Sequence, residues 1–424
     1  MRLVRFARAA SLVLIVIAPL AAQDVRPKDV REVAKAGSTA IPKLQEFLKN
    51  SQLDVRVEAV KQIIEIGTAR SLDPLIVATQ DNDPEVQIRA TDGLVNFYLP
   101  GYVRTGFSAS LTRAGASIKG HFTDTNDQVI DSYITVRPDV IAALGKLVRS
   151  GGSLDVRANA ARAVGILRGK AAVPDLLDAI RTKDTDVIYE ALVALQKIRD
   201  PSAATSIGFL TRDLNPKVQV AAIETEGLLQ NNDALPDLID ALNRARDAKV
   251  RRAALTSIAM LPADGNRQLY SRYLQDKDDK MRAAAAEGYA RLHNPADLPM
   301  LEKAWQDEGK SLPRLALAFA QVSLGKTEIS EFSPLQYLIN NLNSAAYRDV
   351  AYAYLVEAAR DGQVRRALYP TLENGTKDEK IALAGVLGRS GDQESIAHLQ
   401  KVSNDLDPDV AEAGLKAVRN LQAK

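Results

Sequence analysis

Apolar and small residues recur along this chain at a nearly constant interval. Val55 precedes Ala59 by four positions, and 31 residues further on Val86 precedes Ala90 in the same way. A spacing of four places both side chains on one face of an α-helix. The same pair recurs nine more times, beginning at Val156, Val187, Val218, Val250, Met281, Leu312, Tyr347, Ile381 and Val410. The small partner is alanine each time, except for glycine after Ile381 and Val410.

Most of these apolar residues are 31 positions apart, with a few steps of 29 to 35 and one gap of 70 after Val86. A period of about 20–50 residues is typical of solenoids, in which each unit buries its apolar face on its neighbours. The pattern therefore predicts an all-α solenoid of about eleven helical hairpins over residues 23–98 and 138–424. The small residue lets a second helix approach closely.

Polar residues indicate where the helices begin and end. Three positions before the apolar residue, an Asp or Asn can accept hydrogen bonds from free backbone N–H groups. These predicted N-caps are Asp83, Asp184, Asn215, Asp247, Asp278, Asp378 and Asp407. Thirteen positions after the apolar residue stand residue types that tolerate the left-handed conformation that ends a helix. These predicted helix ends are Gly169, Asp200, Asn231, Asn294 and Gly325.

The segments DPEVQIRA at 83–90 and DVRANAA at 155–161 resemble HEAT repeats. The short period is similar to the compact HEAT-like class first associated with phycobilisome lyases. The resemblance covers roughly residues 24–424 apart from one insertion, and it implies a right-handed α–α superhelix. It says little about function, because HEAT arrays serve as scaffolds, adaptors and occasionally enzymes.

Residues 99–137 form the insertion that interrupts the period. Their glycines argue against a helix, and residues 118–122 and 128–136 are candidates for short strands, as in a hairpin. Long loops are often functional, and aromatic residues next to arginine are typical of binding hot spots. The predicted partner-binding residues are Tyr102, Arg104, Phe107, Arg113, Lys119 and Phe122. The alternatives are a flap folded back over the first repeats and a disordered segment.

The first 22 residues have the layout of a secretory signal peptide. Arg2, Arg5 and Arg8 make a positive region, an apolar run follows over residues 9–18, and residues 19–22 offer small side chains for cleavage. An uncleaved anchor is the alternative, although the run is short for a bilayer span of about 20 residues. We expect export to the periplasm or the medium, and no integral membrane span in the mature chain.

Charge and cysteine content narrow the function. Loss of the three signal-peptide arginines would change the formal net charge from +2 to −1, so no overall positive field attracts nucleic acid. Cysteine is absent, which removes disulfides, thiol chemistry and Cys-based metal sites. The three histidines are far apart in sequence, and none is followed by glutamate as in the iron-binding motif of deoxyhypusine hydroxylase, a HEAT-like enzyme. We predict no catalytic residue, cofactor or metal.

Two further patterns have a structural and a functional interpretation. An arginine directly follows the apolar residue at Arg56, Arg157, Arg251, Arg282 and Arg348. This column is either a ladder of ion pairs with acids of adjacent units or a track for an acidic partner. Aromatic residues gather after Leu312, at Phe332, Tyr337, Tyr347, Tyr352, Tyr354 and Tyr369. They either fill a less regular stack or form a partner-binding patch.

Together these features predict a non-catalytic scaffold in the cell envelope, expected to be monomeric. It would bind another protein on its concave face, through the insertion, or both. Two alternatives remain open. One is an enzyme of the lyase or hydroxylase type, and the other is a structural protein associated with a membrane or an envelope polymer.

Overall fold

The computed structural model describes residues 25–103 and 128–423. Within these ranges the chain forms α-helices and short 3₁₀ turns and contains no strand, which confirms the predicted all-α class. The strand predicted at 128–136 is wrong, because this segment bonds to the end of a helix instead of to another strand. The N–H group of Ile130 donates to the carbonyl of Ile166 at 3.0 Å. The strand predicted at 118–122 lies outside the described residues.

The α-helices of these ranges are α1 Pro27–Ala34, α2 Ile41–Phe47, α3 Leu53–Ile66, α4 Leu72–Ala78, α5 Pro84–Tyr98, α6 Pro138–Ser150, α7 Leu154–Ile166, α8 Val173–Ala179, α9 Thr185–Ile198, α10 Pro216–Leu228, α11 Leu235–Arg244, α12 Ala248–Ala259, α13 Arg267–Tyr273, α14 Asp279–Leu292, α15 Leu298–Asp307, α16 Ser311–Ser323, α17 Pro334–Asn340, α18 Arg348–Ala358, α19 Gly362–Asn374, α20 Lys377–Ser390, α21 Gln393–Val402 and α22 Pro408–Gln422.

After α1 the chain forms eleven units, and all but the fifth consist of a first and a second α-helix. The second helices are α3, α5, α7, α9, α10, α12, α14, α16, α18, α20 and α22. In the fifth unit, two 3₁₀ turns, Pro201–Ser206 and Gly208–Arg212, replace the first helix. Successive second helices pack on one another, and α5 packs directly on α7. The array therefore continues across the insertion.

The small residues of the repeat lie on the buried side of the second helices. Nine alanines at this position are completely buried: Ala59, Ala90, Ala160, Ala191, Ala222, Ala254, Ala285, Ala316 and Ala351. Gly414 is buried as well, and a Cβ atom there would come within 2.6 Å of the backbone nitrogen of Ser403. Small side chains at this position are thus required for the close approach of neighbouring helices, as the period predicts.

Most predicted N-caps are confirmed. The side chains of six accept hydrogen bonds from N–H groups at the start of their helices, namely Asp83, Asp184, Asn215, Asp247, Asp278 and Asp407. The prediction for Asp378 is wrong, because α20 begins two residues earlier than predicted, with Thr376 as its N-cap. Thr376 and Glu379 accept from each other's backbone N–H groups at 3.3 and 2.9 Å. This capping box satisfies two N–H groups at once.

The predicted helix ends are displaced by one residue. The left-handed residues are Arg168, Arg199, Gln230 and His293, with φ of 50°, 56°, 55° and 48°. The predictions for the residues that follow them, Gly169, Asp200, Asn231 and Asn294, are wrong, whereas Gly325 is left-handed as predicted. The reason is that Asp200, Asn231 and Asn294 cap the next 3₁₀ turn with their side chains, which requires an extended backbone at the cap.

The superhelix turns far enough for its last unit to meet the end of the insertion. Ile130 is buried and bonded to Ile166 at the end of α7. The adjacent Asp131 lies 3.0 Å from the Nζ atom of Lys416, and the N–H group of Ser132 donates to Asn420 at 3.1 Å. Residues 130–132 thereby connect the third unit with the eleventh. Ile166 belongs to α7, and Lys416 and Asn420 belong to α22. Both helices are second helices, so the second helices line the inner side of the superhelix.

Candidate interaction surface

The insertion begins by folding onto the inner side of the array. Tyr102 is half-buried and packs against the apolar core beside Arg162 and Glu190. Burial and the negative charge of Asp92 raise the pKa of the Tyr102 phenol above its ordinary value. The next N–H group, that of Val103, donates to the side chain of Asn96 at 2.9 Å. This end of the insertion therefore packs inward, as in the folded-back alternative.

The other five predicted binding residues belong to the segment 104–127. Arg104, Phe107, Arg113, Lys119 and Phe122 lie outside the described residues, and their assignment stays a prediction. The structure does show where the insertion enters and leaves. Residues 102 and 130 both contact α7 or its immediate neighbours, which are inner helices.

The inner side of units two to four is tied together by buried polar pairs. The Nε and Nη2 atoms of Arg162 donate to the two carboxylate oxygens of Glu190 at 3.1 and 2.6 Å, joining α7 to α9. The side chain of Arg162 is only 5% exposed. The amide of Asn159 donates to Asp92 at 3.0 Å and joins α5 to α7. The bidentate pair of Arg162 and Glu190 fixes the relative rotation of α7 and α9 as well as their distance.

A cleft of about 420 Å³ lies where the end of the insertion meets α22. Its apolar wall includes Tyr98, Tyr133 and Leu415, and its polar wall includes the Asp131–Lys416 pair. The sequence does not predict the contact between Asp131 and Lys416. The two residues are far apart in the chain, and their proximity depends on the curvature of the whole array.

Three of the five arginines that follow the apolar residue form ion pairs with acids of the next unit. Arg56 forms a bidentate pair with Asp81, Arg282 forms one with Glu308, and Arg348 lies 2.9 Å from Asp378. Each acid belongs to the turn or helix start of the following unit. Arg157 instead donates to the carbonyl of Val148 at 2.9 Å. The ion-pair interpretation is confirmed at these three arginines.

The aromatic residues of the last units mostly fill the stack. Tyr354 and Tyr369 are buried, whereas Tyr337, Tyr347 and Tyr352 are half-buried. The Tyr354 hydroxyl donates to Glu287 at 2.7 Å, and its ring stacks on Phe319 with centroids 4.8 Å apart. Phe332 differs, with 80% of its surface exposed. The packing interpretation therefore applies to all of these residues except Phe332.

The histidines in the described ranges take part in local contacts. His398 stacks on Tyr369 at 3.7 Å between centroids, and its Nδ1 atom lies 2.6 Å from Glu373. His293 ends α14 with its Nδ1 atom 3.2 Å from the carbonyl of Ser323. Within residues 25–103 and 128–423, no group of three or more His, Cys, Asp or Glu side chains is arranged to hold a metal ion. Nor does this part of the chain contain a helix with the length and apolar character of a membrane span.

This geometry defines an α-solenoid. The family model described as HEAT repeats matches residues 141–208 and 235–320, so the chain contains HEAT repeats. No protein with a curated description matches the sequence.

Solved structures with a similar fold have low sequence identity. An engineered protein is 18% identical over 90% of this chain and 98% of its own, with a TM-score of 0.37. The CpcE–CpcF complex of phycocyanin lyase from Nostoc sp. PCC7120 is 16% identical over 77% and 92%, with a TM-score of 0.32. Human deoxyhypusine hydroxylase in complex with glycerol is 17% identical over 68% and 97%, with a TM-score of 0.29. At these scores we infer nothing about function from them.

Proposed function

We propose that this protein is a non-catalytic scaffold of the cell envelope that binds another protein on the inner side of its superhelix. One observation supports this most strongly. Eleven second helices follow one another without interruption from α3 to α22 and form a continuous inner surface. Solenoids of this type bind extended partners on such surfaces.

The insertion is the second part of the proposed binding surface. Its described ends at Tyr102 and Ile130 pack on inner helices, so a partner held along the inner side would pass next to it. The predicted residues Arg104, Phe107, Arg113, Lys119 and Phe122 belong to this segment. Their aromatic and basic side chains are of the kinds enriched in binding hot spots.

Site-specific photo-crosslinking in cells tests the proposal. A crosslinking amino acid replaces Glu224, which is exposed on the second helix α10, or Lys303, which is exposed on the first helix α15. We expect capture of one protein from position 224 and none of that protein from position 303. Capture that is equal at both positions, or absent from position 224, would contradict binding on the inner side. Deletion of residues 104–127 should weaken capture if the insertion contributes.

Export is part of the same proposal and has its own test. Fractionation of cells that produce the full chain should place it in the periplasm or the medium, and N-terminal sequencing should begin at Gln23. A chain that keeps residues 1–22 and stays with the cytoplasmic fraction would contradict export without affecting the scaffold proposal.

A further inference from the structure

The fourth residue of several second helices is a cation that joins two units. Three of these cations each form an ion pair of 2.7 to 2.9 Å with an acid of the following unit. The pairs are Arg56–Asp81, Arg282–Glu308 and Lys380–Asp405. In each following unit the acid lies in the turn between the first and the second helix. The same place in the repeat therefore joins a cation of one unit to a carboxylate of the next.

Arg314 is the fourth residue of α16, but the following unit offers it no acid. Residues 341–347, the turn between α17 and α18, contain neither Asp nor Glu. Among the described residues, the contacts of its guanidinium group are with two aromatic rings. The central carbon of the group lies 4.9 Å from the centroid of the Trp305 ring and 5.5 Å from that of the Tyr337 ring. The series of ion pairs is therefore interrupted between the eighth and the ninth unit.

The two rings hold the guanidinium group in a corner. Trp305 belongs to α15 and Tyr337 to α17, and their ring centroids lie 6.1 Å apart with the ring planes at 81°. A cation over the face of an aromatic ring is attracted by the electrons of the ring. Because two rings act on the same group, Arg314 loses little freedom when it pairs with a ligand. We call Arg314, Trp305 and Tyr337 the Arg314 corner.

The Arg314 corner contains N–H donors without acceptors. The Nε atom of Arg314 and the Nε1 atom of Trp305 are buried and have no hydrogen-bond partner among the described residues. Buried donors nearly always have a partner, so the local side chains do not complete this site. All three side chains of the corner are half-buried, so part of each reaches the surface.

The corner lies on an edge of the superhelix. The helix α15 ends at Asp307 and α16 begins at Ser311, so Trp305 and Arg314 flank the turn that joins a first helix to a second helix. The inner side is formed by the lengths of the second helices, whereas these turns form its border. A ligand at the corner therefore does not need to enter the superhelix.

We propose that the Arg314 corner is a second protein-binding surface, which binds an Asp or Glu side chain of a partner protein together with an apolar side chain next to that acid. The carboxylate takes the place that an acid of the next unit has elsewhere in the array, and it pairs with the terminal nitrogens of Arg314. The apolar side chain lies against the rings of Trp305 and Tyr337. This inference goes beyond the proposed function, because the corner lies outside the inner side.

Charge and composition favour a peptide over a ligand rich in phosphate. Nucleic acids and anionic membranes are bound by several cations at once, and the corner has one. A single guanidinium group matches a single carboxylate, which it binds through two nitrogens. Tryptophan, tyrosine and arginine are also the residues most enriched in the hot spots of protein interfaces.

Intrinsic fluorescence tests the proposal, because Trp305 is the only tryptophan of the chain. The probe is the peptide Gly-Ser-Leu-Asp-Leu-Ser-Gly with blocked ends, and the control peptide has Asn in place of Asp. We expect the Asp peptide to change the emission of Trp305 in a saturable way. The Asn peptide should bind about tenfold more weakly, since it lacks the charge of the carboxylate. Rising salt should weaken the binding of the Asp peptide.

Three variants separate binding from packing. Arg314→Gln should bind the Asp peptide about tenfold more weakly than the wild type. Arg314→Lys keeps the charge and the attraction to the rings but loses the planar group, so its affinity should lie between those two. The matched control is Arg246→Gln, which changes an exposed arginine in the corresponding turn of the sixth unit, and it should bind like the wild type.

Several outcomes would overturn the inference. One is equal binding of the Asp and Asn peptides, and another is wild-type affinity of Arg314→Gln when circular dichroism shows it to be folded. Displacement of the Asp peptide by an equal concentration of inorganic phosphate would show a site for simple anions instead. If neither fluorescence nor calorimetry detects the Asp peptide, the corner only packs two units together. None of these results affects the inner side, which crosslinking from position 224 tests separately.

Discussion

Glu226 should make the stability of the fifth unit depend on pH near neutrality. This residue of α10 is completely buried, and its Oε2 atom accepts a hydrogen bond from the amide of Asn231 at 2.7 Å. Its Oε1 atom has no hydrogen-bond partner among the described residues. The pKa of the carboxyl is raised to about 7, mainly by burial; the hydrogen bond from Asn231 lowers it, and the charge of Asp237 raises it. A neutral carboxyl is therefore favoured in the folded protein.

The size of the effect follows from the two pKa values. The unfolded chain releases the proton near pH 4.5 and the folded chain near pH 7. Because the folded pKa is the higher one, the stabilising contribution is complete below pH 4.5. It is lost as the pH rises through 7. Between pH 5 and pH 8 the loss amounts to about 2.5 kcal/mol, at about 1.4 kcal/mol per pKa unit.

The substitution Glu226→Gln removes the ionisable group and keeps its shape and its acceptor for Asn231. We expect its free energy of unfolding, relative to the wild type, to rise by about 2.5 kcal/mol between pH 5 and pH 8. Urea denaturation followed by circular dichroism measures the difference. Hydrogen exchange of residues 216–234 measures it locally, which is useful because units of a long array can unfold separately.

The matched control is Glu65→Gln, at an exposed position on α3. It should leave the difference from the wild type constant over the same pH range. If the wild type and Glu226→Gln lose stability in parallel between pH 5 and pH 8, the carboxyl is already ionised in the folded protein. The reasoning from burial would then be wrong.

Three further predictions concern other contacts of the array. Arg199→Gly should raise the free energy of unfolding by about 1 kcal/mol, because glycine relieves the left-handed strain, and thermal denaturation measures this. Arg162→Met should lower it by about 3–5 kcal/mol in urea denaturation, because it leaves Glu190 charged and buried without its partner. Lys416→Met should cost under about 1 kcal/mol, since the pair with Asp131 is partly exposed, yet it should speed hydrogen exchange in residues 128–136.

Each of these has a result that would contradict it. A lower melting temperature for Arg199→Gly would mean that the arginine makes a stabilising contact outweighing its strain. A loss below about 1 kcal/mol for Arg162→Met would mean that water reaches Glu190. Unchanged exchange in 128–136 after Lys416→Met would show that the contacts of Ile130 and the hydrogen bond from Ser132 to Asn420 hold this segment to the array without the ion pair.

Helix starts could be predicted from the sequence only where no second residue competes for the N-cap. An Asp or Asn side chain reaches the N–H group two or three residues ahead, so six N-caps could be predicted from spacing. At Thr376 a competing pair with Glu379 moved the helix start, and the Asp378 prediction failed. At the helix ends the next turn needed its own cap, so Asp200 and Asn294 became caps and the preceding residue took the left-handed conformation.

The binding-site predictions show a different limit. The insertion was recognisable because it interrupts a regular period, and its composition suggested contact residues. Tyr102 points inward because it packs beside Arg162 and Glu190, which belong to the third and fourth units. The sequence around Tyr102 does not indicate this contact.

The amino-acid sequence by itself determined the period, the all-α class, the burial of the small residues and most helix starts. These properties depend on interactions within one unit or between adjacent units, so they repeat with the pattern that produces them. Only the tertiary structure decided which distant units meet and where the described ends of the insertion pack. Those contacts depend on small rotations accumulated over many units, and no single repeat encodes their sum.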